Sequence, residues 1–381
     1  MFKQQKIFFE FLRFCIGSAK EIPGSLKEVD WKKIYAIAKK QALLGVLFYG
    51  IQRLPKELAP EQKLLMQWMG MAEQIRKQNI RLFQDSVKVC KNFENKGFAN
   101  CILKGQGNAL LYPDSYMRMS GDIDIYLAGG RKRVMQYINK VCPNQVMRYH
   151  HVDFPVMKTA IEVHFTPSYM FFPVHNRRMQ KWFEKMMGEQ CNHRVSLPDG
   201  YGEIHVPQVS FNVIYILSHL HRHIFTEGIG LRQLLDYYFV LVKWHTDLTN
   251  LTDSNKSLPQ MTQINTDLDT LRHELKYLGL WKFAQAMMYV LYEVFGLSED
   301  RMIVPMDERE GRFLLDEIMR GGNFGQYDTR LGSKENEGKL HRYLRMSLHN
   351  LRFVKHYPTE ALSEPLFRTW FALWKKIHGI R

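Results

Sequence analysis

Two aspartates, Asp122 and Asp124, alternate with isoleucines in the segment GDIDI (121–125). Alternation of polar and apolar residues is typical of a β-strand, so both carboxylates should lie on one face of a sheet and the isoleucines on the other. Neighbouring carboxylates repel each other and stay ionised mainly where cations neutralise them. Oxygen ligands of this kind suit Mg²⁺ or Mn²⁺, with substrate phosphates completing the coordination. The pair therefore predicts chemistry on a metal-bound phosphate.

A third carboxylate, Glu162, stands in another alternating segment, AIEVHF (160–165), with His164 on the same face. A strand carrying Glu162 beside the strand carrying the two aspartates would complete a three-carboxylate metal site. Glu162 could then act as a metal ligand or as the base that helps to deprotonate an acceptor hydroxyl. The alternative is an ordinary exposed Glu–His pair.

Residues that could bind phosphate precede the Asp122–Asp124 pair. The apolar segment 98–103 ends at Lys104 and Gly105, and glycine permits a close backbone approach to a phosphate. A short helix predicted over 107–112 would begin just after this turn, an arrangement that favours anions. Arg118 has a planar fork that could stabilise triphosphate charge, or it could form a salt bridge with Asp114.

The order of these motifs resembles the nucleotidyltransferase superfamily of the DNA polymerase β type. Within it, the chain is most similar to a large bacterial family of uncharacterised nucleotidyltransferases with an LKG turn and an R-x-x-x-D-x-D motif. Later segments that look like landmarks of this family are His219, His223, 230–236 and 321–325. The usual turn of the superfamily is Gly-Gly or Gly-Ser, whereas here Gly105 is followed by Gln106, so the phosphate-binding hydroxyl is absent.

The resemblance implies a metal-dependent enzyme that moves a nucleoside monophosphate from a nucleoside triphosphate, such as ATP, to a hydroxyl acceptor and releases pyrophosphate. It implies two Mg²⁺ or Mn²⁺ ions. The catalytic and metal-binding residues would be Asp122, Asp124 and Glu162, and the nucleotide-binding residues would be Lys104, Gly105, Gln106 and Arg118. The acceptor stays open among small molecules, proteins and RNA. The alternative is a catalytically idle protein of the same fold that binds RNA or a protein partner. A third hypothesis is a phosphotransferase or hydrolase that uses the same metal site.

Three histidines and one further aspartate are also candidates for the cleft: His164, His219, His223 and Asp236. His219 and His223 are four residues apart and could share a helix face. The acidic residue of an HExxH zinc motif is missing, which argues against a zinc site. Asp236 also stands four residues after Arg232, so an ion pair within one helix is the competing interpretation.

The 381 residues carry a formal charge of +15, which favours anionic partners such as nucleotides or nucleic acid but also serves solubility alone. Five widely spaced cysteines without a CxxC pair predict reduced thiols. No apolar run is long enough to span a membrane, and the N-terminus lacks a signal cleavage site, so we expect a cytoplasmic protein.

Hydrophobic periodicity divides the chain into three regions and predicts an α+β fold. A helical N-terminal region (1–97) precedes a nucleotidyltransferase core (98–207) with a small mixed sheet and helices, and a helical C-terminal region (208–381) follows. Asp30 is the predicted N-cap of a helix that runs through Gly45 or beyond, and 131–141 is predicted as a helix packed on the sheet. A polar segment, 246–263, is predicted as a loop or linker, and 268–296 as one helix. A C-terminal apolar stripe that includes Leu366 and Trp370 predicts an amphipathic helix docked on its own core, with a membrane surface or a partner as the alternative.

Overall fold

A four-stranded mixed sheet frames the candidate site in the computed structural model, which describes residues 2–254, 260–330 and 338–380. Its strands are β1 (Asn100–Ile102), β2 (Ile123–Leu127), β3 (His151–Asp153) and β4 (Ile161–His164), in the order β1-β2-β4-β3. β2 and β4 are parallel, and the two outer pairs are antiparallel. Strands β5 (Arg194–Ser196) and β6 (Glu203–His205) form a separate hairpin.

Four helices form the N-terminal region: α1 (Phe2–Ile16), α2 (Trp31–Lys40), α3 (Leu44–Ile51) and α4 (Gln62–Glu94). The predicted N-cap is confirmed, because the Asp30 carboxylate accepts a hydrogen bond from the backbone N–H of Lys33 at 3.2 Å. The predicted continuation of this helix to Gly45 is wrong. Ala42 adopts a φ of 56°, which interrupts the helix between α2 and α3.

Three helices accompany the sheet: α5 (Gly105–Ala109), α6 (Gly130–Val141) and α7 (Pro173–Gln190). α5 begins two residues before its predicted start, directly after β1, and Gly105 has a φ of 51°. Helix α7 and the β5–β6 hairpin are absent from the sequence-based prediction. The α6 prediction, which starts at Arg131, agrees with the structure to within one residue.

The C-terminal region contains α8 (Val209–Ile224), α9 (Leu231–Ser254), α10 (Gln260–Tyr277), α11 (Trp281–Phe295), α12 (Glu308–Gly321), α13 (Lys339–Leu351) and α14 (Pro358–Ile377). The single helix predicted over 268–296 is two helices. Gly279 lies between them with a φ of 75°, and a Cβ at this position would meet the His175 imidazole at 2.4 Å.

The predicted polar linker over 246–263 is wrong where the structure describes it. α9 continues through Ser254, α10 begins at Gln260, and 255–259 lie outside the described residues. Threonine hydroxyls on α9 bond backbone carbonyls one turn earlier, as Thr246 does with Val242 at 2.9 Å and Thr249 with His245 at 2.7 Å. The segment is therefore helical where it is described, with its threonine hydroxyls bonded inside the helix and with Leu248 buried.

The α+β fold predicted from the sequence is confirmed, with helices enclosing a small mixed sheet. Ile123 and Ile125 of β2 are completely buried, so this face of the strand packs into the core and leaves the other face to the carboxylates. The division at 97/98 and 207/208 stays a prediction. Among the described helices, none combines the length and apolar character needed to cross a bilayer.

Candidate active site

The parallel pairing of β2 with β4 places Asp124 directly opposite Glu162. Asp122 lies just before β2, two residues from Asp124, and is half-buried. Because adjacent parallel strands in register present the same face at each level, the carboxylates at 124 and 162 are neighbours. The structure thus brings together the acids that the sequence singled out.

Lys104 and His164 hold the Asp124 carboxylate. Lys104 donates to Oδ2 from a distance of 3.1 Å, and His164 Nε2 donates to Oδ1 at 3.0 Å. Burial works against ionisation of this carboxyl, but Lys104 and His164 outweigh it and hold the pKa of Asp124 well below its usual range. His164 Nε2 also lies 3.6 Å from Glu162 Oε2. Asp124 is therefore ionised and fixed in position at neutral pH.

Asp122 has the opposite electrostatic environment. The negative charge of Asp124, reinforced by burial, raises the pKa of Asp122 to about 6, and the charge of Lys104 offsets this in part. The strand register thus brings more negative charge to this site, from Asp122, Asp124 and Glu162, than Lys104 neutralises. A divalent cation would relieve this repulsion, so the residues present fit a hard metal ion.

Two more histidines, His150 and His151, lie beside Glu162. His151 Nδ1 is 3.4 Å from Glu162 Oε2 and hydrogen-bonds His150 Nε2 at 3.1 Å. Burial lowers the pKa of His151 to about 3 and also lowers that of His150. Both imidazoles are therefore neutral and able to serve as ligands.

Donor atoms of Asp124, Glu162 and His164 lie within 4.8 Å of one another, and so do those of His150, His151 and His164. In a regular strand consecutive side chains point to opposite faces, so strand alternation does not predict that His150 and His151 both lie beside Glu162. His150 instead stands in a bend before β3.

Helix α8 contributes a second group of histidines to the site. Lys104 Nζ donates to His219 Nε2 at 3.0 Å, and the rings of His219 and His223 are 4.3 Å apart. Burial, with the nearby charge of Lys104, lowers the pKa of His219 well below its usual range. His221 lies on the other face of the helix, against Phe283 at 4.9 Å. The helical spacing thus separates the site-facing pair from the core histidine.

Arg222 is a buried cation that our sequence analysis did not identify. Its Nη2 donates to His223 Nε2 at 2.8 Å, and its guanidinium lies 5.2 Å from the centre of the Tyr169 ring. Within the described residues, no carboxylate oxygen lies in salt-bridge range of this guanidinium, and its Nε is buried without a hydrogen-bond partner. A buried cation without a carboxylate favours an anionic ligand.

Arg118, predicted to bind phosphate, is buried and bonded within the protein. Its Nε and Nη2 donate to the two oxygens of Asp236 at 2.8 and 2.7 Å, and its Nη1 donates to Ser120 Oγ at 2.6 Å. Asp114 instead accepts from the backbone N–H of Tyr116. Each of the three guanidinium nitrogens donates to a protein group and the side chain is 3% exposed, so at most two of its five N–H groups are left for a phosphate. The phosphate role of Arg118 stays a prediction.

The glycine turn places Gln106 in an unusual position. Its side chain is 1% exposed, and neither its amide nitrogen nor its amide oxygen has a hydrogen-bond partner among the described protein atoms. Gly105 Cα lies near the backbone oxygen of Asp122, since a Cβ there would be 3.8 Å from it. The unpartnered amide of Gln106, one residue after this turn, is available to a ligand or to water.

Comparisons with known proteins give evidence that is independent of this geometry. Neither the search of curated proteins nor the search of solved structures finds a match. A family model matches residues 27–296, which include the sheet, the carboxylates and α8 but not the 321–325 segment read as a family landmark. The match covers more than half of the chain, so the protein belongs to the family described as uncharacterised nucleotidyltransferase.

Proposed function

We propose that this protein transfers a nucleoside monophosphate from a nucleoside triphosphate to a hydroxyl acceptor and releases pyrophosphate. The observation that carries the proposal is the register of Asp124 with Glu162 across β2 and β4, with Asp122 beside them. Membership of a nucleotidyltransferase family supports the general class of reaction. The acceptor is a small molecule, a protein or RNA.

The donor set supports the use of Mg²⁺ or Mn²⁺, and we propose two ions. Asp122, Asp124 and Glu162 would hold them, because oxygens of Asp124 and Glu162 lie within 4.8 Å of each other and the charge of Asp124 raises the pKa of Asp122. When bound, such ions supply positive charge to the triphosphate and lower the pKa of a coordinated hydroxyl.

The residues of the chain have distinct roles in the proposed reaction. Glu162 accepts the proton of the acceptor hydroxyl while the hydroxyl oxygen attacks the α-phosphorus. The bond from this phosphorus to the α,β-bridging oxygen breaks, and pyrophosphate leaves with the electron pair. Lys104, at the end of β1, compensates phosphate charge, and Gly105 lets the backbone approach closely.

Arg222 adds a further cation on the α8 side. It is linked to Lys104 through His219, which contacts Nζ of the lysine and lies 3.4 Å from the Arg222 guanidinium. We propose that Arg222 contacts the phosphates that become pyrophosphate. This assignment uses a cation that lacks a carboxylate partner among the described residues, whereas Arg118 already has one.

One observation favours the alternative of an idle binding protein. Both oxygens of Asp124 are already engaged, by Lys104 and by His164. A cation at this carboxylate would have to use the remaining lone pairs and would lie beside the Lys104 ammonium, whose like charge repels it. Whether the protein binds nucleotide only when a metal is supplied therefore separates the two functions.

Isothermal titration with each of the four nucleoside triphosphates, with and without Mg²⁺, tests the proposal. We expect Mg²⁺-dependent binding that Asp122→Asn, Asp124→Asn loses and that Glu203→Gln, an exposed acid on β6, retains. Incubation with a pool of metabolites, proteins and RNA should then give pyrophosphate with the wild type and with Glu203→Gln but not with the double variant. If no triphosphate binds, or if the double variant binds as tightly as the wild type, the metal-dependent function is wrong.

A further inference from the structure

Two exposed apolar stripes run along α13 and α14. Their residues recur every three or four positions, so each stripe occupies one side of its helix. The stripe residues are Leu340, Leu344, Leu348 and Leu351 on α13, and Leu362, Leu366, Trp370, Leu373 and Ile377 on α14. Each is at least half exposed, up to 72% for Leu366 and 80% for Ile377. Exposed apolar area of this extent normally marks an interaction surface.

The inner side of α14 already packs against the protein, so the stripe is a separate surface. Phe367 lies 5.2 Å from the Tyr169 ring, and Phe371 lies 5.6 Å from Tyr149. Trp374 is half-buried beneath the Arg131 guanidinium. The prediction that the whole C-terminal stripe docks on its own core is therefore wrong for Leu366 and its stripe neighbours.

The two helices are joined to each other by polar contacts that leave both stripes uncovered. Tyr343 and Thr369 hydroxyls are 3.2 Å apart, and Asn350 donates to Glu364 at 2.8 Å. Arg368 lies over the Tyr343 ring at 4.5 Å. α13 and α14 thus form one hairpin with a fixed pairing, and the stripes belong to the same unit.

The charges around the stripes are of one sign. Over the described residues of α13 and α14, the cations at the surface include Arg342, Lys375 and Lys376, whereas the only acids, Glu360 and Glu364, are 2% exposed. Glu360 accepts from the backbone N–H groups of Phe171 and Phe172 and is thereby used inside the protein. The outer surface of the hairpin is therefore apolar and cationic without exposed carboxylates.

We propose that the α13–α14 hairpin binds in the plane of an anionic phospholipid surface. Helices with Leu and Trp on one side and Lys or Arg beside them bury the apolar side at the headgroup boundary while the cations meet lipid phosphates. A second copy of the chain is disfavoured, because a symmetric contact would place like charges together and because lysine is depleted in protein interfaces. The proposal does not depend on the proposed function, and the hairpin lies outside the residues matched by the family.

Vesicle flotation of the full chain tests this inference. We expect binding to vesicles of phosphatidylcholine mixed with phosphatidylglycerol, weaker binding to phosphatidylcholine alone, and release by salt. Leu366→Ser, Trp370→Ser should reduce the partition coefficient about tenfold or more, because it removes the centre of the α14 stripe. Lys375→Gln, Lys376→Gln should reduce binding to the anionic vesicles only.

The matched control is Met66→Ser, Met69→Ser, which removes two exposed apolar side chains from α4, where they are 60% and 53% exposed. This control should bind vesicles as the wild type does, and thermal melts should show that all variants fold. Absence of binding to anionic vesicles, or equal loss in the control, overturns the proposal. A dimer that only the Leu366→Ser, Trp370→Ser variant loses, without vesicle binding, would assign the stripe to self-association instead.

Discussion

The two carboxylate oxygens of Asp236 on α9 accept hydrogen bonds from Nε and Nη2 of Arg118, at 2.8 and 2.7 Å, although the two residues are 118 positions apart. The pair is buried, and the Tyr112 hydroxyl donates to the same carboxylate at 2.6 Å. The Arg118–Asp236 ion pair connects the C-terminal helices to the segment that precedes β2. The position of Asp122 and Asp124 is thus linked to a helix from another region of the chain.

Breaking this pair should destabilise the protein strongly. We expect Asp236→Leu to lower the free energy of unfolding by about 3–5 kcal/mol, because it leaves Arg118 buried without a counter-charge. Arg118→Met, Asp236→Leu should recover part of this loss, since neither charge remains. Urea denaturation followed by circular dichroism measures both. A double variant less stable than Asp236→Leu would contradict the interpretation.

Lys104 should contribute to nucleotide affinity. Lys104→Met removes the ammonium that lies 3.1 Å from Asp124 and should weaken triphosphate binding about tenfold or more. Lys132→Met, on the exposed side of α6, is the matched control and should bind normally. Titration calorimetry in the presence of Mg²⁺ gives both dissociation constants. Unchanged affinity in Lys104→Met would remove this residue from the nucleotide site.

Arg222 should behave as a ligand-binding residue and not as a structural one. Because no carboxylate in the described part of the chain pairs with it, Arg222→Met should change the free energy of unfolding by no more than about 1 kcal/mol. The same variant should lose most of the preference for nucleoside triphosphate over monophosphate. Comparing the two dissociation constants in wild type and variant tests this. A large loss of stability with an unchanged preference would make Arg222 structural.

Divalent ions should stabilise the folded protein through Asp122. At a concentration 100 times the dissociation constant, a bound ion adds about 2.7 kcal/mol. Asp122→Asn should abolish this gain and should itself raise the stability of the metal-free protein near pH 8, because the charge of Asp124 disfavours ionised Asp122. Thermal melts with Mg²⁺, Mn²⁺ and chelator measure the shift. An equal response to metal in the variant would place the ion elsewhere.

Glu364 gives a pH dependence unrelated to the site. Burial raises its pKa from the ordinary 4.5 to about 7, although Arg368 and Asn350 partly offset this. A carboxyl whose pKa is raised on folding costs nothing below pH 4.5 and destabilises increasingly as the pH rises through 7. Glu364→Gln should therefore stabilise the protein at pH 8 by at most about 3 kcal/mol and leave it unchanged at pH 4. Chemical denaturation of the wild type and Glu364→Gln at both pH values measures this difference, and an equal effect at pH 4 and pH 8 would contradict the interpretation.

The local patterns in the sequence were sufficient for several features. The alternation at 121–125 and 160–165 predicted that Asp122 and Asp124 share one strand face and that Glu162 shares a face with His164, since side chains in a strand alternate regardless of what surrounds it. Asp30 predicted a helix start through a hydrogen bond made within one turn. The α+β class followed from where strand and helix periods occur along the chain.

Tertiary structure decided every feature that depends on a distant partner. Lys104 meets His219 across 115 residues, and the Arg118 fork meets Asp236 and not the nearby Asp114. His150 joins the site only because the chain bends before β3. An amphipathic pattern shows that one side of α14 is apolar, but only packing determines that Phe367 meets the core while Leu366 remains exposed. Periodicity is a local property of the chain, whereas the choice of partner depends on which elements fold against it.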